Sequence, residues 1–388
     1  MSLFAVSDAR QSEGPATIGA RLLAVNWPLI ALVVLIASFG VAVLYSVAGG
    51  SFVPYADKHL LRLLVGIGLI LGVAVVPLRF WLGAAYPAYA LALLALALIP
   101  VFGSEAMGAR RWLRFGDLSL QPSEVMKVAL IAALARYYQW LAPEKVSRAL
   151  WVLLPFLAIA APVGFVLKQP DLGTAVLFAS VGLALMFLAG VNILYFLGGA
   201  ATIAGLAPIL WNHLHDYQRR RILTFLDPER DPLGAGYHVL QSKIALGSGG
   251  LAGKGYMQGT QGQLNFLPEK QTDFIFTMLG EEWGFVGGVA LIGLYVILIF
   301  MLLGMALVCR SQFARLLCSG SALVIFIYAS VNVAMVTGVV PVVGVPLPLV
   351  SYGGTAMLTI FAGLGLAMCG YVHRNQQIRR DDLGALAS

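Results

Sequence analysis

Ten apolar runs, each near 20 residues long, decide what this chain of 388 residues can fold into. They fall at 26–47, 59–77, 82–101, 123–138, 149–167, 173–189, 191–210, 284–308, 314–337 and 352–372. As an α-helix, a run of that length crosses the roughly 30 Å hydrocarbon core of a bilayer. A transmembrane β-barrel is excluded, because barrel strands alternate polar and apolar residues and these runs are apolar throughout. Only 11% of the residues are charged and 60% are hydrophobic. The expected fold is an all-α polytopic membrane protein with about ten transmembrane helices. Residues 1–22 read as a polar cytoplasmic tail without the pattern of a cleaved signal. Residues 23–388 read as one membrane domain, and 210–272 as a large extracytoplasmic loop between the seventh and eighth helices.

Orientation follows from Lys and Arg in the short loops. Arg10, Arg21, Arg79, Arg136, Lys145, Arg148, Arg310, Arg315, Arg374, Arg379 and Arg380 fall on one side of a ten-helix chain, which is therefore read as cytoplasmic, with both termini there. The other side holds two basic loops. One, at 102–122, carries Arg110, Arg111 and Arg114. The other carries Arg219, Arg220, Arg221, Arg230, Lys243, Lys254 and Lys270. Cations that do not serve topology are placed to meet an anionic ligand; a solvated surface beside anionic lipid heads is the other reading. Neither loop points to nucleic acid.

Asp273 is the last acid before the apolar residues Phe274-Ile275-Phe276, at the end of a mixed-charge stretch that runs Glu269-Lys270-Gln271-Thr272-Asp273. A carboxylate where a long aqueous loop meets the membrane is a candidate site. Its place ahead of a helix also fits an N-terminal cap, which would lower its pKa. Glu124 and Lys127 stand three apart on the fourth helix, on one face, and are expected to pair there, either as a packing salt bridge or as part of a site. Asp171 lies in a Pro-Asp-Leu-Gly turn, an ordinary turn sequence or part of the site. Glu281 and Glu282 follow Asp273 by about two turns and either face its cavity or cap the span.

Two backbone features stand out. Gly247 to Gly255 holds five glycines, which allow close approach to a ligand or to another segment. It lacks the order of a nucleotide P-loop, so no nucleotide is expected. Pro341 to Gly354 cannot continue a helix and must be buried in protein or line a wet cavity, as a seat for a lipid chain or as a structural cap. Cys309, Cys318 and Cys369 read as small buried hydrophobes. No His or Cys spacing marks a zinc site, a disulfide framework or a hydrolase triad.

Taken in order, Gln121-Pro122-Ser123-Glu124 with Lys127, Gln169 to Thr174, Gly236 to Ala245, Leu267 to Phe276 and Pro346 to Gly354 resemble the SEDS family (shape, elongation, division and sporulation) across nearly the whole chain. Gly253-Lys254-Gly255-Tyr256 with Gly259-Thr260-Gln261 looks like the elongation branch more than the division branch. The resemblance implies a ten-helix glycosyltransferase of the bacterial inner membrane, active on the periplasmic face. Its substrate would be lipid II, an undecaprenyl-pyrophosphate-linked disaccharide pentapeptide, polymerised into β-1,4 glycan for cell elongation and rod shape. A class B penicillin-binding protein is the implied partner. The acid matching Asp273 is the implied catalytic residue. Glu124 and Lys127 would line the central cavity, and Trp112 would be needed for function. Arg111, Asp171, Lys243, Lys254, Lys270 and Ser351 are the further candidates for binding or supporting the substrate. The donor sugar is α-linked and the product β-linked, so transfer inverts, and one carboxylate suffices as general base. A Mg2+ or Mn2+ requirement is implied without a visible ligand set. A lipid II transporter, or a non-catalytic scaffold for the penicillin-binding protein, is the alternative.

Overall fold

The computed structural model describes residues 17–106, 109–116, 118–213, 219, 223–225, 227, 235–264, 267 and 269–378. A short helix α1 (Ile18–Leu23) precedes α2 (Trp27–Val47), α3 (Ala56–Val75) and α4 (Leu78–Phe102). A small sheet of β1 (Ser104–Ala106), β2 (Ala109–Phe115) and β3 (Leu118–Leu120) leads into α5 (Pro122–Trp140), α6 (Ala149–Leu167), α7 (Leu172–Leu188) and α8 (Ile193–His213). Then come α9 (Ala235–Gly249), the single turn α10 (Thr260–Gln263), α11 (Ile275–Val308), α12 (Gln312–Val336) and α13 (Gly354–Val372). Each of the ten apolar runs lies on a helix within a few residues of its expected bounds, save that α11 starts nine residues early.

Seven helices, α2, α3, α4, α6, α11, α12 and α13, are long and apolar enough to cross a membrane. The apolar parts of α7 and α8 are shorter. Helix α5 carries Glu124, Lys127 and Arg136, yet it is the most enclosed, with 13 of its 19 residues buried. Charge is tolerated there because its neighbours are protein, not lipid. Small residues set the close crossings. A Cβ on Gly66 of α3 would stand 2.2 Å from the ring of Phe361 on α13, and one on Gly320 of α12 would stand 2.4 Å from Ile131 on α5.

The basic loop at 102–122 is not irregular. It forms an antiparallel sheet in the order β1-β2-β3. Ser104 faces Trp112 and Glu105 faces Arg110, so Arg111 is left unmatched in a bulge. A bulge re-aims its side chain, and that of Arg111 turns toward the start of α7.

Most of the proline-rich chain between Val345 and Ser351 is buried in protein, and side chains from three helices satisfy its carbonyls. His59 of α3 bonds the Leu349 carbonyl at 3.1 Å, Asn332 of α12 donates to Val345 O at 2.6 Å, and Tyr295 of α11 donates to Pro348 O. These bonds fit the structural-cap reading of that segment, and its residues also line a crevice with Lys127 and Tyr328.

Helix α11 is broken. Gly284 sits at φ 66°, ψ −164°. In a continuous helix Phe285 N and Val286 N would donate to Glu281 O and Glu282 O. Here the glycine-rich segment steps into the ladder. Lys254 N and Gly255 N donate to Glu281 O (3.1 Å) and Glu282 O (3.0 Å), while Phe285 N and Val286 N donate to Gly250 O (2.9 Å) and Leu251 O (3.1 Å). No side chain fits between them: a Cβ on Gly253 would lie 2.1 Å from Glu282 O. Of the two uses foreseen for these glycines, close approach to another segment is the one found.

Candidate functional site

Asp273 lies in a tight turn just ahead of α11. Thr272 N and Asp273 N donate to Glu269 O at 3.0 and 3.1 Å, with Glu269 at φ 55°. Three bonds from distant parts of the chain hold the turn. Tyr352 N donates to Gln271 O (2.9 Å), Ser351 Oγ to Thr272 O (2.6 Å) and Asn332 Nδ2 to Asp273 O (2.9 Å). The proline-rich segment and α12 thus fix the backbone on either side of the carboxylate. The carboxylate itself points toward Gly344, where an added Cβ would be 3.4 Å from Oδ2. Among the described residues it accepts no hydrogen bond.

Asp273 is not a helix cap. Phe274 occupies the N-cap position of α11, and no side chain bonds there. The lowered pKa expected of a cap is replaced by the opposite. Loss of water around the carboxyl, with the Glu269 carboxylate close by as a smaller cause, pushes its pKa up to about 7. A carboxyl so poised is half-ionised near neutrality, the range in which a general base works best.

Glu124 and Lys127 pair as expected. Lys127 Nζ is 2.6 Å from Glu124 Oε2, and both side chains are buried. Thr359 of α13 donates to the same oxygen at 3.2 Å, and the ammonium lies 4.0 Å from the centre of the Tyr328 ring. Lys127 and Tyr328 line a crevice together with Pro346, Leu347, Ser351 and Gly353. Ser351 therefore belongs both to this crevice and to the support of the Asp273 turn.

The loop cations are more occupied than the sequence indicates. Arg111 Nη1 is 3.5 Å from Asp171 Oδ2 and its Nη2 donates to Pro170 O at 2.8 Å, while Asp171 Oδ1 caps α7 by accepting from Thr174 N. Lys254 is bound to Glu281 at 2.7 Å, and Lys270 Nζ donates to Gly262 O at 2.6 Å. Lys243, on α9, packs its Cε against Gly338 at the end of α12. Arg110 donates to Pro100 O, and Arg219 to Trp211 O and Asn212 O. The backbone carbonyl of Trp112 accepts from Ser104 Oγ, and its side chain is half-buried in β2. Arg220, Arg221 and Arg230 lie outside the described residues. The sequence reading passed over Asn332 and Tyr328. Its available signal was a lone Asn and a Tyr inside an apolar span, where polar groups are expensive and kept for a reason. Among the described residues no group of three or more His, Cys, Asp or Glu is placed to hold a metal ion.

The fold and the site together define a polytopic helical membrane protein with a perturbed carboxylate in the turn ahead of a long apolar helix. The chain belongs to the cell cycle protein family of FtsW, RodA and SpoVE, whose model matches residues 21–376. Peptidoglycan glycosyltransferase MrdB of Escherichia coli (strain K12) is 42% identical over 333 residues, spanning 84% of this chain and 88% of that one. The probable peptidoglycan glycosyltransferase FtsW of Trichlorobacter lovleyi is 35% identical over 360 residues, 90% and 93% of the two chains. Among solved structures, a chain from a peptidoglycan synthase complex that coordinates polymerization and crosslinking superposes with a TM-score of 0.80 at 35% identity, covering 92% of this chain and all of its own. The crystal structure of the rod shape determining protein RodA of Thermus thermophilus gives a TM-score of 0.69 at 32% identity, with 92% and 99% covered.

Proposed function

We propose that the chain is a peptidoglycan glycosyltransferase of the elongation type, which polymerises lipid II into β-1,4 glycan with Asp273 as general base. The observation that carries the reading is the Asp273 carboxyl, raised to about 7 and without a hydrogen-bond donor of its own among the described residues, in a turn clamped by Ser351, Tyr352 and Asn332. In the reaction the acceptor's 4-hydroxyl oxygen bonds to the donor's anomeric carbon, its proton passes to Asp273, and the carbon–oxygen bond to the diphosphate breaks. Undecaprenyl diphosphate leaves with the electron pair. Attack opposite the leaving group inverts the α-linked donor to a β-linked product. Lys127, held by the buried Glu124, lies on the wall of the adjoining crevice and supports substrate binding.

The basic short loops support a reading with both termini in the cytoplasm and Asp273 on the periplasmic face of the inner membrane. The likeness to a chain of a synthase complex supports a class B penicillin-binding protein as partner. A Mg2+ or Mn2+ ion would neutralise charge on the leaving diphosphate; the described side chains do not assemble a ligand set for it.

The test is a gel assay. Purified protein, alone and with its cognate penicillin-binding protein, is incubated with labelled lipid II and divalent cation beside the Asp273→Ala variant. A glycan ladder from wild type and none from the variant is expected. A ladder from both would remove Asp273 from catalysis. No ladder from either, with lipid II crossing liposome bilayers, would replace polymerisation by transport, and a variant that still supports wall synthesis in cells would favour the scaffold.

A further inference from the structure

The break in α11 leaves a half-helix, residues 275–283, whose direction the membrane-spanning half cannot set. Something else must hold it, because the turn just ahead of it carries Asp273. The Glu281 side chain, fully buried, stands at the centre of what does. Its Oε1 accepts from Lys254 Nζ at 2.7 Å, Gln261 N at 3.0 Å and Thr260 Oγ1 at 3.1 Å. Lys254 Nζ also donates to Thr260 Oγ1 at 2.8 Å. One carboxylate oxygen thus joins the half-helix to the glycine-rich segment and to the start of α10.

The connections close into a ring. Helix α10 runs from Thr260 to Gln263, and its Gly262 carbonyl accepts from Lys270 Nζ at 2.6 Å. Lys270 lies in the turn whose Glu269 carbonyl accepts from Asp273 N. From Asp273 the half-helix returns to Glu281. A Cβ on Gly262 would lie 2.8 Å from Met278 Sδ, so α10 is also packed onto the half-helix between the two contacts. Glu282 continues the anchorage outward, accepting from Ser46 of α2.

We infer that Glu281 is a positioning residue: through Lys254, Thr260 and Gln261 it fixes α10 and the half-helix, and so holds the turn that aims the Asp273 carboxylate. Lys254 is then a strut and not a phosphate clamp. A charged donor bonded to a buried carboxylate keeps its geometry well, because an unpaired partner would be left desolvated. The inference rests on the polymerase reading only where activity is measured.

The test therefore has two readouts. The first is backbone hydrogen exchange over residues 269–276 of the full chain in nanodiscs. Glu281→Ala is expected to speed exchange there about tenfold, while Glu144→Ala, an exposed change between α5 and α6, leaves it unaltered. The second is kinetics with lipid II. A misdirected base lowers kcat by about 100-fold and leaves KM within about threefold. Glu281→Gln keeps an acceptor oxygen and is expected to fall between wild type and Glu281→Ala on both readouts; it replaces the alanine variant if that one does not fold. Wild-type exchange over 269–276 in the variants would overturn the inference. So would a raised KM with kcat unchanged, which would make Glu281 and Lys254 substrate contacts. If wild type itself makes no glycan, the polymerase reading falls, and the exchange result alone decides the role of Glu281.

Discussion

Ser351 donates its hydroxyl to the carbonyl oxygen of Thr272 across 2.6 Å and accepts from Leu347 N at 2.7 Å. One side chain thereby ties the turn ahead of α11 to the segment ahead of α13, 79 residues further along. Ser351→Ala leaves a part-buried carbonyl and a buried N–H without this partner. It is expected to lower stability by about 1–3 kcal/mol, read as a lower unfolding temperature in detergent, and to lower glycan synthesis because the Asp273 turn loosens.

The raised pKa of Asp273 sets a pH dependence for activity. Only the ionised carboxylate accepts a proton. Glycan synthesis is expected to rise with pH through a midpoint near 7 and to level above it, and to fall about tenfold per unit on the acid side. An acid limb centred near 4, the range of an ordinary carboxyl, would show that burial does not perturb the group in the working enzyme.

The same shift predicts a stability effect of opposite sense. A carboxyl whose folded-state pKa exceeds its unfolded value favours the fold while protonated, and that support is lost as pH rises through the folded pKa. Asp273→Asn keeps the shape and cannot ionise. Its unfolding temperature is expected to match wild type near pH 4 and to exceed it increasingly up to about pH 7, in a variant without activity. Equal temperatures at pH 8 would contradict this.

The buried pair of Glu124 and Lys127 makes a further case. Lys127→Met strands a buried carboxylate and is expected to destabilise the fold by about 3–5 kcal/mol. The double change Glu124→Gln with Lys127→Met removes both charges and is expected to recover most of that loss. Recovery of stability without recovery of glycan synthesis would separate the pair's part in the site from its part in packing.

Much of the molecule was legible in the sequence because it follows from local composition. Apolar run length gives the helices, since each must cover its own backbone polar groups in hydrocarbon. The spacing of Glu124 and Lys127 gives their pairing, since positions three apart share a helix face. Asp273 stood out as the acid where the long polar loop runs into the apolar residues Phe274-Ile275-Phe276. Other features depend on partners far away in the chain. The three-stranded sheet at Ser104–Leu120 forms from short segments with no strong alternation, and the bulge that sends Arg111 to Asp171 is a matter of register. The occupation of Lys254 by Glu281 and of Lys270 by Gly262 O was equally hidden.

The sequence by itself determined the membrane class, the helices and the acid to watch. Tertiary structure decided what that acid is. A carboxyl ahead of a helix has a lowered pKa if it caps and a raised one if it is desolvated, and no local pattern distinguishes the two. Here Phe274 takes the cap position, Ser351, Tyr352 and Asn332 hold the turn, and the carboxyl is left partly desolvated, without a hydrogen-bond donor among the described residues and near Glu269. Desolvation is set by everything packed around a group, so it exists only once distant segments have come together.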